Sequence, residues 1–168
     1  MTYDPESSPW TWHLADMRDL TELVDLTESE YNHEMNNIYT TDRSWYSYLL
    51  GRAIWDQINL QGKCMIALAR HKVSEQVLAY SWLTGEHPAL FSQEQTAEVA
   101  VCHIRQNQPL RSKIQQCEQM IEQWQRWCKI MNKQILVSST IRSDQKGFLR
   151  LHERAGFTIR GSIAYKRL

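Results

Sequence analysis

Cysteine and histidine are the residue types most able to bind metal or carry nucleophilic chemistry, and their spacing here gives little sign of either. Across its 168 residues the chain has four cysteines, at positions 64, 102, 117 and 128, and no C-x-x-C pair that could begin a zinc site. The histidines are dispersed, without H-E-x-x-H or a comparable ligand spacing. Each cysteine lies in an apolar segment, so we interpret all four as small buried hydrophobic residues in a reducing compartment. The sequence therefore predicts no metal site.

A carboxylate and an imidazole lie in one apolar segment, where they could exchange protons with a ligand. Glu98 and His103 are five positions apart within 97–104, a segment with the composition of a strand. Odd spacing puts two side chains on opposite faces of a regular strand, so both can face one cleft only if a β-bulge intervenes. The alternatives are a charged residue at the rim for Glu98 and a loop residue for His103. Downstream, the run 138–140 (SST) lacks the G-x-S-x-G context of a nucleophile elbow.

Charge and hydropathy exclude several classes of partner. Lys and Arg total 19 and so do Asp and Glu, so the net charge is zero, whereas a general nucleic-acid or membrane-surface binder needs a basic excess. No window approaches the ~18 apolar residues of a membrane span, and the polar start has no signal-peptide core. We therefore expect a soluble, cytoplasmic protein that binds neither nucleic acid nor membrane.

Hydrophobic periodicity predicts the elements that position these residues. The length suits a single domain over residues 10–168, preceded by a polar N-terminal arm over residues 1–9. In the first half the predicted order is a strand at 10–14, a helix from Asp16, a second helix capped by Asp42 or Ser44 and ending by Gln61–Gly62, and strands at 64–70 and 77–83. A loop at 84–96 leads to a strand at 97–104, a helix at 110–131 and a strand at 134–140. The chain then has a helix at about 144–155 that ends at Gly156, and one or two strands around Gly161.

This order predicts an α+β fold. Its central sheet is mixed, antiparallel in the N-terminal half and with a parallel β-α-β crossover in the second half, and helices cover both faces. The continuous apolar run at 134–140 predicts a central strand buried on both faces. A doubly wound nucleotide-binding fold is not expected, because β-α-β alternation is confined to the second half.

Three segments resemble the GNAT superfamily of N-acetyltransferases. DQKGFLRLHERAGF at 144–157 looks like the C-terminal motif of that family, a short helix ending in Y-E-K-x-G-F. The opening WTWHLADMRDLTELVDL at 10–26 is similar to the family's first strand and helix, and the hairpin at 64–83 adds support. The order of elements matches along nearly the whole chain, but only the last helix matches residue by residue. The resemblance implies a GNAT-like fold and the transfer of an acetyl group from acetyl-CoA to an amine.

The resemblance also implies a pyrophosphate-binding loop of pattern Q/R-x-x-G-x-G/A, in which glycines let backbone N–H groups approach the phosphates. Here Gln106 takes the first position, but Pro109 and Arg111 stand where both glycines belong, and proline has no amide proton. Either the Arg111 guanidinium replaces the backbone contacts, or no cofactor binds. By resemblance, acyl-CoA contacts would come from Val101, Gln106, Gln108, Arg111, Ser112 and Gln145.

Catalytic roles are likewise implied by the resemblance. His152 stands where many family members have a tyrosine that reprotonates the departing CoA thiolate, and an imidazolium can do the same near neutral pH. The alternative is a histidine on the helix surface beside Glu153. For the base that takes the proton from the amine, the resemblance offers Glu98 or His103.

Aromatic content supports a second hypothesis. The chain has seven Trp, and an aromatic cluster that includes Trp45, Tyr46, Tyr48 and Trp55 would, by resemblance, wall the acceptor side, although such clusters more often form a core or an interface. The protein could then be a catalytically silent GNAT-fold structural or assembly protein of a bacteriophage virion. Tailed phages carry GNAT-like proteins of this kind, and ST-x-R-x-D-Q-x-x-F-L-R-L-H at 139–152 looks like such sequences. It would act in the host cytoplasm or the virion, through protein partners or as a homo-oligomer.

Overall fold

The computed structural model describes residues 8–35, 40–59, 63–88, 92–140 and 145–161. Its elements are β1 (Trp10–Leu14), α1 (Leu20–Met35), α2 (Arg43–Asn59), β2 (Cys64–His71), β3 (Val77–Pro88), β4 (Gln95–Ile104), α3 (Leu110–Ile130), β5 (Ile135–Ser138) and α4 (Lys146–Arg154). This is the predicted order as far as the last helix. Residues 157–161 have no regular structure, and most of the predicted arm, the end of the second helix at Gly62 and any strand after Gly161 lie outside the described residues.

The five strands form one mixed sheet in the order β1-β2-β3-β4-β5. The first three pairings are antiparallel, and β4 pairs with β5 in parallel. Helix α3 makes the long connection that a parallel pair requires. The predicted α+β class with a mixed sheet is confirmed, and the topology is not doubly wound.

Two apolar clusters cover the two faces of the sheet. On one face, Trp124 of α3 packs with Met65 of β2 and other buried residues, and α4 contributes Phe148 at the margin. On the other face, Leu23 of α1 and Ile54 of α2 pack against alternate residues of β2 and β3. Because helices cover both faces, β2 is buried along most of its length.

Two predictions about the strands are wrong. Strand β3 continues to Pro88, where a loop was predicted at 84–96, because it resumes pairing with β4 after an irregularity that follows Thr84. Strand β5 is not central: it is the last strand of the sheet within the described ranges and spans only 135–138. Val137 is 43% exposed. An apolar run alone does not distinguish an edge strand from a central one.

Capping groups fix the helix ends close to their predicted places. The Asp42 carboxylate accepts the Trp45 N–H at 2.9 Å, so Asp42 caps α2. Helix α1 begins four residues after Asp16, whose carboxylate instead accepts the Arg18 N–H at 2.7 Å in the preceding turn. Gly156 has a left-handed φ of +89° and ends α4 as predicted. No helix in the parts of the chain described above is long and apolar enough to cross a membrane.

Candidate functional site

Strands β4 and β5 separate partway along the sheet. They pair only from Thr96–Ile135 to Val99–Ser138, and β4 then continues to Ile104 while β5 ends. The β5-facing edge of β4 over 100–104 has no strand partner among the residues described. A cavity of about 510 Å³ lies there, walled by residues 99–104, by α1, by residues from 40 to 46, and by Ser139, Thr140 and Phe148.

A β-bulge in β4 changes which side chains face this cavity. Trp82 pairs with Val101 and the next residue, Leu83, pairs with Val99, so Ala100 is an extra residue in β4. Before the bulge Val99 packs on the α3 side of the sheet, whereas after it Val101 packs on the α1 and α2 side. The alternation of faces is therefore shifted by one residue within the strand.

The bulge places Glu98 and His103 on the same face, the condition under which both could serve one cleft. His103 lines the cavity, is only 5% exposed, and has its ring centroid 5.7 Å from that of Tyr80. Glu98 is half-buried and is not among the described residues that line the cavity. A catalytic base at either position stays a prediction, and the geometry favours His103.

A group of three hydroxyls, two of them in the cavity wall, was not predicted. Tyr46 Oη lies 2.6 Å from Tyr80 Oη, which is also hydrogen-bonded to Thr27 Oγ1. Thr27 in turn donates to the Leu23 carbonyl at 2.9 Å. Burial raises the pKa of Tyr46 and raises that of the fully buried Tyr80 well above its usual value, so both phenols stay neutral at physiological pH. We call Tyr46, Tyr80 and Thr27 the hydroxyl chain.

His152 is buried among aromatic rings and not on the helix surface, so the surface interpretation is wrong. It is 2% exposed and contacts the rings of Trp124, Phe148 and Phe157. Its Nδ1 lies 2.9 Å from the Phe148 carbonyl, which can only accept, so Nδ1 carries the proton. The neutral Nε2 then accepts the Ser138 hydroxyl at 3.0 Å. Burial lowers the pKa of His152, which disfavours the imidazolium that a general acid needs, and that role stays a prediction.

Side chains of the loop between β4 and α3 already bond to the loop, to α3 and to β3. The Gln108 amide donates to the Arg105 carbonyl at 3.1 Å and exchanges hydrogen bonds with the Gln116 amide at 3.1 and 2.8 Å. Gln106 Oε1 accepts from Lys113 Nζ at 3.3 Å. Contacts of Gln106 and Gln108 with a cofactor stay predictions, and they require these bonds to be exchanged.

A buried carboxylate lies against the same loop. Glu30 of α1 is 5% exposed, and its Oε1 accepts the Gln106 N–H at 3.3 Å. Its Oε2 is buried and has no hydrogen-bond partner in the described structure. The protein therefore presents its own negative charge at the loop where the family resemblance places a diphosphate.

The start of α3 offers a different kind of anion contact. Pro109 is the N-cap, with φ −56° and ψ 142°, and no side chain caps the helix. The amides of the first turn, at 110–112, have no partner within the helix, so they and the exposed Arg111 can face an anion. The residues thus fit an anionic group at the helix start, but not a diphosphate enclosed by glycine amides. Ser112 is half-buried in that turn, and Gln145 is exposed before α4.

Comparison with protein-family models and with curated protein sequences finds no match. Solved structures do match, over nearly the whole chain. A ribosomal-protein-alanine N-acetyltransferase from Brucella melitensis biovar Abortus 2308 has a TM-score of 0.64 at 14% identity, covering 95% of this chain and 99% of its own. Glucosamine-6-phosphate N-acetyltransferase from Arabidopsis thaliana has a TM-score of 0.67 at 12% identity, and the match covers 95% of this chain and 99% of that enzyme's chain. The enzyme AAC(6')-Iy, solved with the bisubstrate analogue CoA-S-monomethyl-acetylneamine, has a TM-score of 0.68 at 11% identity, and the match covers 96% of this chain and 99% of that enzyme's chain. The chain therefore has the GNAT acetyltransferase fold.

Proposed function

We propose that this protein is an N-acyltransferase that moves an acyl group, in the simplest case acetyl, from a coenzyme A thioester to an amine. The observation that carries the proposal is the separation of β4 from β5 beside a cavity of about 510 Å³. Over 100–104 the β5-facing side of β4 has no strand partner among the described residues, and an extended chain can add there as a peptide adds to a strand edge. The amides of a pantetheine arm match such an edge.

The proposal assigns the anionic end of the donor to the start of α3. Arg111, Ser112 and the first-turn amides, which have no partner within the helix, would hold a phosphate there, with Val101 along the arm and Gln145 at the start of α4. Pro109 supplies no amide proton, so we expect weaker donor binding than a glycine loop would give.

In acyl transfer the coenzyme supplies an activated thioester carbonyl, and the protein must bind the amine and handle protons. Only an unprotonated amine attacks, so a base must remove a proton. His103 is the imidazole that lines the cavity, and Glu98 shares its face of β4. For returning a proton to the departing sulfur we retain His152, which can act through the Ser138 hydroxyl only in the imidazolium form that carries a proton on Nε2.

Acetyl-CoA binding tests the proposal before any substrate is known. A ligand at 100 times its dissociation constant adds about 2.7 kcal/mol to the free energy of unfolding, which a thermal-shift titration detects. We expect a shift with acetyl-CoA, a smaller one with pantetheine, which lacks the phosphates, and thiol release when an amine panel is added. No shift at millimolar acetyl-CoA would remove the transferase from consideration.

A catalytically silent structural or assembly protein, such as a component of a bacteriophage virion, is the second candidate. The observation favouring it is an apolar surface on α2: Trp45, Tyr48, Trp55 and Ile58 are each more than half exposed, and the first two rings stack at 5.6 Å. Exposed aromatic patches are typical of protein contacts. Light scattering after size exclusion should then show an oligomer or a complex, and a monomer that captures no partner would count against this candidate.

A further inference from the structure

The protons of the hydroxyl chain have only one arrangement that satisfies its bonds. Each hydroxyl has a single proton to donate. Thr27 gives its proton to the Leu23 carbonyl at 2.9 Å, so towards Tyr80 it can only accept. Tyr80 donates to Thr27 and therefore accepts from Tyr46, 2.6 Å away. The order cannot reverse, because the carbonyl at its end has no proton to give.

Both ends of this chain meet the cavity, but only Tyr46 has an oxygen with no second hydrogen-bond partner shown within the described residues. Tyr46 and Thr27 line the cavity, whereas Tyr80 is fully buried behind them. The Asp42 cap fixes the first turn of α2, where the Asp42 carbonyl accepts the Tyr46 N–H at 3.0 Å. With its proton committed to Tyr80, Tyr46 Oη can only accept a hydrogen bond from a ligand.

Charges around this oxygen favour a cationic donor. Glu28, Asp42 and Arg43 line the same cavity. The Arg43 guanidinium is already paired with Asp25 and, at 2.7 Å, with Glu28. Among the described residues that line the cavity, two carboxylates therefore stand against one guanidinium, which leaves a negative excess in the wall that contains Tyr46.

We propose that Tyr46 Oη accepts the hydrogen bond that positions the amine of the acyl acceptor, and that the acceptor is a cationic amine. This inference rests on the proposed acyl transfer for its biological meaning, but the amine site itself can be tested without transfer. An alkyl ammonium ion suits the site because it carries donors only and a positive charge, whereas an alcohol of the same length lacks the charge.

The test compares Tyr46→Phe with a matched control, Tyr48→Phe, which removes an exposed phenol half a turn further along α2. Binding of butylammonium and of n-butanol is measured by NMR titration. We expect Tyr46→Phe to weaken butylammonium binding about tenfold, the usual effect of losing a hydrogen bond to a charged group, and Tyr48→Phe to leave it unchanged. A second variant keeps the inference testable if Tyr46→Phe fails to fold. Tyr80→Phe frees the Tyr46 proton to point into the cavity, so the ratio of butylammonium affinity to butanol affinity should fall relative to wild type.

Two results would overturn the inference: equal butylammonium binding by wild type and Tyr46→Phe, or equal losses in Tyr46→Phe and Tyr48→Phe. In a transfer assay, Tyr46→Phe should raise the KM for the amine about tenfold and leave that for acetyl-CoA unchanged. Tyr46-dependent amine binding without transfer would defeat the proposed function alone. Transfer that does not depend on Tyr46 would defeat this inference alone.

Discussion

Replacing Glu30 by glutamine should strengthen binding of a diphosphate donor. The substitution keeps an oxygen to accept the Gln106 N–H, now bonded at 3.3 Å, and removes the buried negative charge. The amide of the new side chain would occupy the place of Oε2, which has no hydrogen-bond partner in the described structure, so a loss of about 1 kcal/mol in stability is expected from the unpaired donor.

The expected gain in affinity follows from distance and charge. Gln106 and Pro109 are three residues apart across a turn, so the backbone at the family's glycine position lies within roughly 10 Å of Gln106, whose N–H the carboxylate accepts. Two unit charges at that distance repel by about 1.7 kcal/mol at an effective dielectric of about 20, and physiological salt screens part of this. We therefore expect roughly tenfold tighter CoA binding at low ionic strength, with a smaller gain as salt is added.

Isothermal titration calorimetry of CoA at two salt concentrations measures this effect. Glu122→Gln is the matched control, because Glu122 is exposed on α3 and lies twelve residues, or about 18 Å, from the helix start. The control should bind CoA as wild type does. Equal affinities of wild type and Glu30→Gln, or the same gain in both variants, would show that Glu30 does not oppose the donor.

Three further predictions concern reactivity and stability. Cys102 lines the cavity and should be alkylated by iodoacetamide before Cys117, because burial raises the pKa of the Cys117 thiol to about 12. Acetyl-CoA should slow the alkylation of Cys102, and mass spectrometry of the labelled peptides measures the rate at each cysteine. Burial lowers the pKa of His152 in the folded protein below its unfolded value of 6.5. The contribution of neutral His152 to stability is therefore fully present above pH 6.5 and is lost progressively as the pH falls below that value. In urea unfolding, His152→Gln should reduce the decrease of the midpoint between neutral and acidic pH. Gly156→Ala forces alanine into a φ of +89° and should cost about 1 kcal/mol, lowering the melting temperature by ~2 to 4 °C, whereas Gly147→Ala, with open space at its Cβ, should not lower it.

Local patterns were enough to predict most of the fold. The repeat of apolar residues every three or four positions marked α3, and Asp42 and Gly156 marked helix ends through their capping preferences. The place of β5 in the sheet could not be predicted in this way, because an edge strand and a central strand can have the same apolar run. Sheet order depends on contacts between distant segments.

The candidate site was less predictable than the fold because pairing between elements creates it. The sequence named His103 and identified a bulge as the condition for its use with Glu98, but the bulge itself comes from the register of β3 on β4. The hydroxyl chain joins positions 27, 46 and 80 from three elements, and no local spacing relates them. A buried carboxylate at Glu30 was equally hidden, since helix periodicity does not indicate which loop a side chain will reach.

The extra residue in β4 shapes the cavity through the path of the backbone as well as through residue type. Deleting Ala100 would remove the bulge without exchanging faces, because Val99 and Val101 already lie on opposite sides of the sheet and would become regular neighbours. Val101 and His103 would stay on the α1 and α2 side, but the strand would lose the local bend and added twist that a bulge gives. Homologues that lack a residue here would present the same side chains to the slot from a straighter strand.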